Sequence, residues 1–233
     1  MELSDFKVLT FDVVGTLIDF ESGVLNAVRS IGGEIAANYS DDQIFAAYKE
    51  GRDVFPGRSS TEMANVYKHL AKLLDLPATD EAADNFQMAV LRWAPFSDAV
   101  EAMKELRKHY RLVAMTNADR TAFTAYNHAL GNPFHDSVTC DETGVAKPNP
   151  EYFAYNKGRQ FAFGYPQNEI LHVAQSQYHD IGVAQSLGYA TCWIERRADQ
   201  EGYGGTPDPV EFATPDFHFT SMKALADAVA AGK

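Results

Sequence analysis

Two patterns of apolar and polar positions alternate along this chain of 233 residues. Short apolar runs bounded by turn residues are typical of buried parallel strands, whereas apolar residues spaced three and four positions apart are typical of helices. The predicted strands are Val8–Phe11 and the segments RLVAMTN, DSVTC, EILHVA and ATCWI. From residue 95 onward these strands alternate with predicted helices, and a shorter segment, DFHFT, precedes the last helix.

A block of consecutive helices separates the first predicted strand from the others. Four helical segments follow one another between Asp19 and Arg92, and Ser, Asp or Thr at their starts are suited to cap them. The segments are SGVLNAVRSIGG, SDDQIFAAYKEGRDVF, TEMANVYKHLAKLLDLP and TDEAADNFQMAVLRW. We expect stops at Gly32-Gly33 and at Pro77, and we expect Pro95 to close the block.

The second half of the chain is typical of an α/β fold. Its predicted helices are SDAVEAMKELRKHY, ADRTAFTAYNHALG, NPEYFAYNKGRQFAFG, HDIGVAQSLG and SMKALADAVAAG. We expect Ser97 to cap the first of them and Pro150 to lie in the first turn of the third. Repeated strand-helix units predict a doubly wound parallel sheet with right-handed crossovers. We interpret residues 1–18 and 93–233 as this α/β core domain and residues 19–92 as an inserted helical domain.

The composition narrows the range of partners. Lys and Arg number 20 against 32 Asp and Glu, and the net charge of −12 argues against nucleic acid or an anionic membrane as a partner.

Cys140 and Cys192 are far apart in apolar contexts, which favours free thiols and a reducing compartment. The chain start has no signal-peptide pattern, and no run of about 18 apolar residues occurs. We expect a cytoplasmic protein, either monomer or homodimer.

Asp12 is the first candidate for chemistry. It directly follows the first predicted strand and precedes a Gly15-Thr16 turn, which places it at the edge where open α/β sheets bind ligands. From the residues alone, a nucleophilic carboxylate and a carboxylate that only caps a turn are both open interpretations.

Three further groups of polar residues follow later strands. Thr116 and Asn117 end the second strand, Lys147 lies in GVAKPNPEYF, and Asp180 lies in ILHVAQSQYHDIGVAQSLG. Each has an ordinary structural alternative, because Thr and Asn cap helices and Lys is usually an exposed loop residue. A Lys close to Asp12 would favour the ionised carboxylate.

Together these motifs resemble the haloacid dehalogenase superfamily. Asp12, Gly15 and Thr16 match its first motif, hhhhDxxxGT, whose leading Asp is the nucleophile, and the later groups match its second, third and fourth motifs. The resemblance implies a helical cap domain over the edge of the sheet. It also implies roles for Asp12 as nucleophile, for Thr16, Thr116, Asn117 and Lys147 in positioning and stabilising it, and for Asp180 in orienting water.

Two departures from the superfamily phosphatases decide the expected chemistry. Val14 stands where they carry a general acid, and Gln175 stands where they carry the first aspartate of the fourth motif, a magnesium ligand. Since Mg²⁺ prefers charged oxygen ligands, we expect no metal and no other cofactor. The site remains suited to attack on carbon when the leaving group departs without an enzyme acid.

This is the chemistry of the type II 2-haloacid dehalogenases, which the sequence resembles over its whole length. In that branch the aspartate displaces halide from C2 of an (S)-2-halo acid, and water then hydrolyses the resulting ester. We expect a small carboxylate substrate, held by Arg52 from the helical domain. The residues expected to contact the substrate are Val13, Val14, Thr16, Arg52, Ser176, Tyr178 and His179.

Three alternative functions remain open at this point. The pattern SxYHD followed by WIERRADQEGYGGT resembles L-azetidine-2-carboxylate hydrolase, which opens a four-membered ring with the same kind of nucleophile and in which His179 would serve as a proton shuttle. A weak phosphatase and a non-catalytic binding protein that kept the fold are the other two.

Overall fold

A computed structural model of the chain describes residues 1–232. Its six strands are β1 (Val8–Phe11), β2 (Arg111–Thr116), β3 (Asp136–Thr139), β4 (Ile170–Ala174), β5 (Ala190–Ile194) and β6 (Phe217–Phe219). They form one parallel sheet in the order β3-β2-β1-β4-β5-β6. The predicted α/β fold with a parallel sheet is confirmed, and β1 lies in the middle of it.

The helical block between β1 and β2 is also confirmed. It contains α1 (Phe20–Ala36), α2 (Asp41–Val54), α3 (Ser59–Leu73) and α4 (Asp80–Val90). Ser40 and Thr79 cap α2 and α4 through their side chains, as their residue types predict. The division at residues 19–92 into a separate domain stays an interpretation.

The six helices that flank the sheet in the described part of the chain include the five that were predicted, in that order, and one short helix, Cys140–Thr143, that was not predicted. They are α5 (Ala99–Leu106), α6 (Arg120–Ala129), α7 (Cys140–Thr143), α8 (Pro150–Ala162), α9 (Gly182–Ser186) and α10 (Met222–Ala230). Pro150 lies in the first turn of α8, as predicted. No helix in residues 1–232 combines the length and the apolar character needed to cross a membrane.

Helix α1 spans Phe20–Ala36 but is interrupted at Gly33, whose backbone is non-helical (φ 55°), so the predicted stop at Gly32-Gly33 is present as a kink between two helical segments. Two local predictions were wrong. Ser97 does not cap α5, which begins after Asp98. The sequence predicts one continuous helix over HDIGVAQSLG. Instead, residues Gln177–Ile181 form one π-helical turn, and α9 begins at Gly182.

The long segment 196–215 is a loop that is tied to the helical block. Arg197 Nη1 donates to Glu21 Oε2 at 2.6 Å, and the Gly205 N–H donates to Glu21 Oε1 at 2.8 Å. Thr206 is buried. The loop therefore closes one side of the space between α1 and the sheet.

Candidate active site

Four polar residues meet at the carboxyl edge of the central strands. Asp12 follows β1, Asn117 follows β2, Lys147 lies in the loop before α8, and Asp180 lies in the π-helical turn after β4. Parallel strands bring their carboxyl ends to one edge, which explains why residues so far apart in sequence converge. Helices α1 and α2 lie over the same edge through Phe20, Tyr48 and Arg52.

A single ammonium joins two buried carboxylates at the centre of this edge. Lys147 Nζ donates to Asp12 Oδ1 at 2.9 Å and to Asp180 Oδ1 at 2.6 Å. All three residues are almost fully enclosed, with 3% of Lys147, 5% of Asp12 and none of Asp180 exposed. Charges buried this deeply are tolerated only when they are paired and hydrogen-bonded, as they are here.

The two carboxylates differ in basicity. Burial raises the pKa of Asp12, although the Lys147 ammonium opposes that rise. Burial also acts on Asp180, but Lys147 and His172 outweigh it and lower the pKa of Asp180 to about 2. Burial lowers the pKa of Lys147, but Asp12 and Asp180 outweigh this effect and leave it above its ordinary value. Asp180 and Lys147 are therefore charged near neutral pH, and Asp12 is the more basic carboxylate.

The turn after β1 fixes the orientation of the Asp12 carboxylate. Thr16 Oγ1 donates to Asp12 Oδ2 at 2.6 Å and accepts from the Gln175 N–H at 2.9 Å. Gly15 has φ +95°, and a Cβ there would lie 2.8 Å from Gln175 Nε2, so a larger residue does not fit. Both oxygens of Asp12 thus have donors.

Asn117 holds Lys147 through its backbone rather than through its ammonium. Asn117 Oδ1 accepts from the Lys147 N–H and Asn117 Nδ2 donates to the Lys147 carbonyl, both at 2.8 Å. Thr116 plays a different part from the expected one: its Oγ1 accepts from the Ala118 N–H at 3.1 Å and donates no hydrogen bond to Asp12. Thr116 is therefore a turn-capping residue, which was the structural alternative.

Asp12, Lys147 and Asp180 line a cavity of about 180 Å³. The rest of its wall comprises Val14, Phe20, Tyr48, Arg52, Ser59, Trp93, Asn117, Ala118, Gln175, Ser176, His179, Gly205, Thr206 and Pro207. A larger neighbouring cavity of about 550 Å³ shares Phe20 and Gln175 but contains none of the three central charges. The smaller cavity is therefore the candidate active site.

Arg52 and His179 offer polar groups of the cavity wall to a ligand. Arg52 Nη1 donates to the carbonyls of Phe55 and Gly57, while its Nε and Nη2 have no hydrogen-bond partner in residues 1–232. His179 Nδ1 lies 3.2 Å from Ser176 Oγ, which also accepts from the His179 N–H. Burial lowers the pKa of His179 to about 4, so this imidazole is neutral at physiological pH.

Two predicted substrate-binding side chains lie elsewhere. Val13 is fully buried in the apolar core and is absent from the cavity wall, which Val14 lines. Tyr178 is 37% exposed and is absent from the cavity wall. The π-helical turn places His179, not Tyr178, in the cavity.

Sequence reasoning missed two parts of the site. His172 on β4 is fully buried with Nε2 2.9 Å from Asp180 Oδ1, and the only signal was a polar residue within the apolar strand EILHVA. The loop residues Gly205, Thr206 and Pro207 also line the cavity, although no pattern in this glycine-rich segment indicates a contact with a ligand. No periodic pattern identifies a loop that folds back over a cavity.

The donor set does not fit Mg²⁺. The Lys147 ammonium lies between Asp12 and Asp180, Val14 has no ligand atom in its side chain, and Gln175 Nε2 donates to Thr206 Oγ1 at 3.1 Å. In residues 1–232 no group of three His, Cys, Asp or Glu side chains is arranged around a common point for a metal ion. A divalent cation would also meet the charge of Lys147.

The fold and the site define a Rossmann-like α/β protein with a buried Asp-Lys-Asp centre beneath a helical insertion. The chain belongs to the haloacid dehalogenase-like hydrolase family, whose profile matches residues 6–188, and it is an enzyme of that family. The superfamily that the sequence motifs indicate is therefore confirmed.

Similar proteins support this assignment. The (S)-2-haloacid dehalogenase of Pseudomonas sp. (strain YL) is 29% identical, over 97% of this chain and 97% of its own. Haloacetate dehalogenase H-2 of Moraxella sp. (strain B) is 25% identical, over 98% of this chain and all of its own. The L-2-haloacid dehalogenase from Xanthobacter autotrophicus with chloropropionic acid covalently bound has a TM-score of 0.71 at 19% identity, covering 98% of this chain and all of that chain.

The buried charges predict a large effect of removing Lys147. A Lys147→Met variant leaves Asp12 and Asp180 buried without their ammonium, so we expect the free energy of unfolding at pH 7 to fall by about 3–5 kcal/mol. Urea denaturation measures this, with Lys104→Met, which removes an exposed ion pair to Glu101, as the control. An unchanged Lys147→Met stability would contradict the description of the centre.

Proposed function

We propose that this enzyme is a 2-haloacid dehalogenase that acts through an aspartyl ester. An Asp12 carboxylate oxygen attacks C2 of a small (S)-2-halo acid and displaces halide with inversion. Water then attacks the carboxyl carbon of Asp12, which releases the 2-hydroxy acid and restores the carboxylate. The overall reaction consumes one water and yields the hydroxy acid, a halide ion and a proton.

The observation that carries the proposal is the surroundings of Asp12. Its carboxylate lies in the wall of a small cavity with Thr16 and Lys147 as donors, and the residue two positions later, Val14, has no proton to give. Halide leaves carbon without protonation, whereas an alkoxide does not. Relatives named for 2-haloacid dehalogenation, among them one with chloropropionic acid covalently bound, support the same assignment.

The second step needs a group that orients water and donors for an oxyanion. Asp180 is ionised and lies in the cavity wall, and its Oδ2 has no hydrogen-bond partner in residues 1–232. The backbone N–H groups of Val13 and Val14, next to Asp12, also donate no hydrogen bond in the described part of the chain. These amides are suited to stabilise the charge that develops when water attacks the ester. Val13 would thus contribute through its backbone.

Arg52 is the candidate partner for the carboxylate of the substrate. Its guanidinium reaches the cavity with Nε and Nη2 unpaired, and this edge matches a carboxylate in a bidentate arrangement. The cavity volume of about 180 Å³ favours a short acid. Tyr48 and Trp93 supply apolar surface beside it.

Opening of L-azetidine-2-carboxylate is the second candidate function, and His179 favours it. This neutral imidazole lies in the cavity wall beside Ser176, where it can form a hydrogen bond with the ring nitrogen of the substrate. A phosphatase is a poorer proposal, because Val14 supplies no general acid and the donor set does not fit the Mg²⁺ that phosphoryl transfer uses.

Isotope labelling tests the covalent step. One turnover of excess enzyme with (S)-2-chloropropionate in ¹⁸O water should place the label in the side chain of Asp12, because water attacks that carboxyl carbon. Mass spectrometry of the peptide containing Asp12 detects it, and Asp12→Asn, which should lose activity, is the control. Label found only in the lactate would mean that water attacks C2 directly.

A substrate comparison identifies the leaving group. We expect chloride release from (S)-2-chloropropionate, slower release from the (R) isomer, and unchanged rates after EDTA treatment, since no step uses a metal. An ion-selective electrode measures chloride, and chromatography measures ring opening of L-azetidine-2-carboxylate in parallel. Faster ring opening would favour the second candidate, and magnesium-dependent phosphate release from small phosphomonoesters would contradict both.

The pKa shifts predict the pH dependence of ester formation. Only ionised Asp12 attacks, so the rate should fall as pH decreases through a pKa that lies above the ordinary value of 3.8. His179, with a pKa of about 4, and Lys147, with a raised pKa, should add no inflection between about pH 5 and 8. Single-turnover mass spectrometry across this range measures the rate. An inflection near 6.5 that disappears in His179→Phe would contradict this assignment.

A further inference from the structure

Two buried polar residues of the central strands, Thr10 and His172, form a hydrogen-bonded chain that ends at Asp180. His172 on β4 has no exposed surface, and its Nε2 lies 2.9 Å from Asp180 Oδ1. Its Nδ1 lies 2.9 Å from the hydroxyl of Thr10, a buried residue of the neighbouring strand β1. Four polar residues therefore connect the sheet interior to the nucleophile, in the order Thr10, His172, Asp180 and Lys147.

Electrostatics determines which nitrogen of His172 carries the proton. Asp180 is a carboxylate with a pKa of about 2, and a lone pair on Nε2 would face its negative oxygen at 2.9 Å. Nε2 must therefore be protonated and donate to Asp180 Oδ1. In the neutral ring Nδ1 is then the acceptor, and the Thr10 hydroxyl, which lies 2.9 Å from Nδ1 and 3.5 Å from the Leu171 carbonyl, donates to the nearer of the two. Thr10 thus fixes the tautomer that Asp180 needs.

The two carboxylate oxygens of Asp180 differ in the number of hydrogen bonds that they accept. Oδ1 accepts from both Lys147 Nζ and His172 Nε2, whereas Oδ2 has no partner in residues 1–232. Two donors on one oxygen prevent the carboxylate from rotating about its terminal bond. Oδ2 is the oxygen left for a water that attacks the ester.

Packing alone does not explain a histidine at this position. The ring of His172 meets Phe153 edge-on with centroids 5.5 Å apart, and its neighbours along β4 are apolar. An apolar residue in a fully buried strand position avoids the cost of removing an imidazole from water. Both ring nitrogens have partners, and one of these partners is the carboxylate assigned to the hydrolytic water.

We propose that His172 is a positioning residue for ester hydrolysis, which holds Asp180 so that Oδ2 faces the attacking water, with Thr10 setting the tautomer of the imidazole. This inference rests on the proposed function, because it assigns His172 to the second step of that reaction. Ester formation at Asp12 does not depend on which oxygen of Asp180 is free.

The test compares two variants at the same position. His172→Phe keeps a ring but removes the donor, whereas His172→Gln places an amide N–H near the position of Nε2. In single-turnover experiments with (S)-2-chloropropionate, we expect His172→Phe to slow hydrolysis of the Asp12 adduct by about 10- to 100-fold, the range for loss of a hydrogen bond to a charged group. The adduct should accumulate in the intact-protein mass spectrum, and its rate of formation should change little. His172→Gln should recover most of the loss.

Phe153→Leu is the matched control, because it disturbs the packing around His172 without touching Asp180. It should lower the thermal stability but leave the ratio of the two steps unchanged. Equal slowing of both steps in His172→Phe, or the same pattern in Phe153→Leu, would show a structural role and overturn the inference. If even the wild-type protein forms no adduct, the proposed function fails and this inference fails with it.

A spectroscopic measurement on the wild-type protein covers the case in which His172→Phe does not fold. The ¹⁵N NMR shifts of the His172 imidazole should show protonated Nε2 and hydrogen-accepting Nδ1, and Thr10→Val should shift the Nδ1 resonance. A neutral ring protonated at Nδ1 would leave Asp180 without this donor and would overturn the inference.

Discussion

The site depends on one ammonium that two buried carboxylates share. Without Lys147, the enclosed charges of Asp12 and Asp180 would repel each other in a medium that solvates neither. With it, the two residues acquire different properties, because Asp180 has a second donor in His172 on the same oxygen. Asp180 becomes a fixed anion, while Asp12 keeps the higher pKa and therefore the greater basicity.

The scaffold places that ammonium without using regular secondary structure at Lys147 itself. Asn117 binds both backbone groups of Lys147, so the end of β2 determines where the loop before α8 passes. Thr16 fixes the turn after β1, because its hydroxyl donates to Asp12 and accepts from the backbone N–H of Gln175, which follows β4. Thr16 thereby joins the carboxyl ends of β1 and β4, and Asn117 joins the end of β2 to the loop that carries Lys147, so the geometry of the centre follows from the order of the sheet.

Sequence patterns predicted the strands, the helical block and the convergence of Asp12, Lys147 and Asp180, because these follow from apolar periodicity and from motifs next to strand ends. The patterns did not show that His179 rather than Tyr178 lines the cavity. The π-helical turn determines which of the two side chains faces inward, and such a turn cannot be identified from the residue types alone. The patterns also missed His172, because a buried histidine in a strand acquires meaning only from its partners. Thr116 has a residue type suited equally to capping and to catalysis, and only its contact with Ala118 separates the two.

Val14 and Gln175 bear on the kind of bond that the proposed reaction can break. An acidic residue at position 14 could protonate a departing alkoxide, and together with an Asp in place of Gln175 it would offer oxygen ligands to a cation. With valine and glutamine, the cavity offers neither that acid nor those ligands, and the charge paired with Asp12 is the ammonium of Lys147. These side chains favour the proposed displacement at carbon, in which the nucleophile must be strong and the leaving group must be stable as it departs.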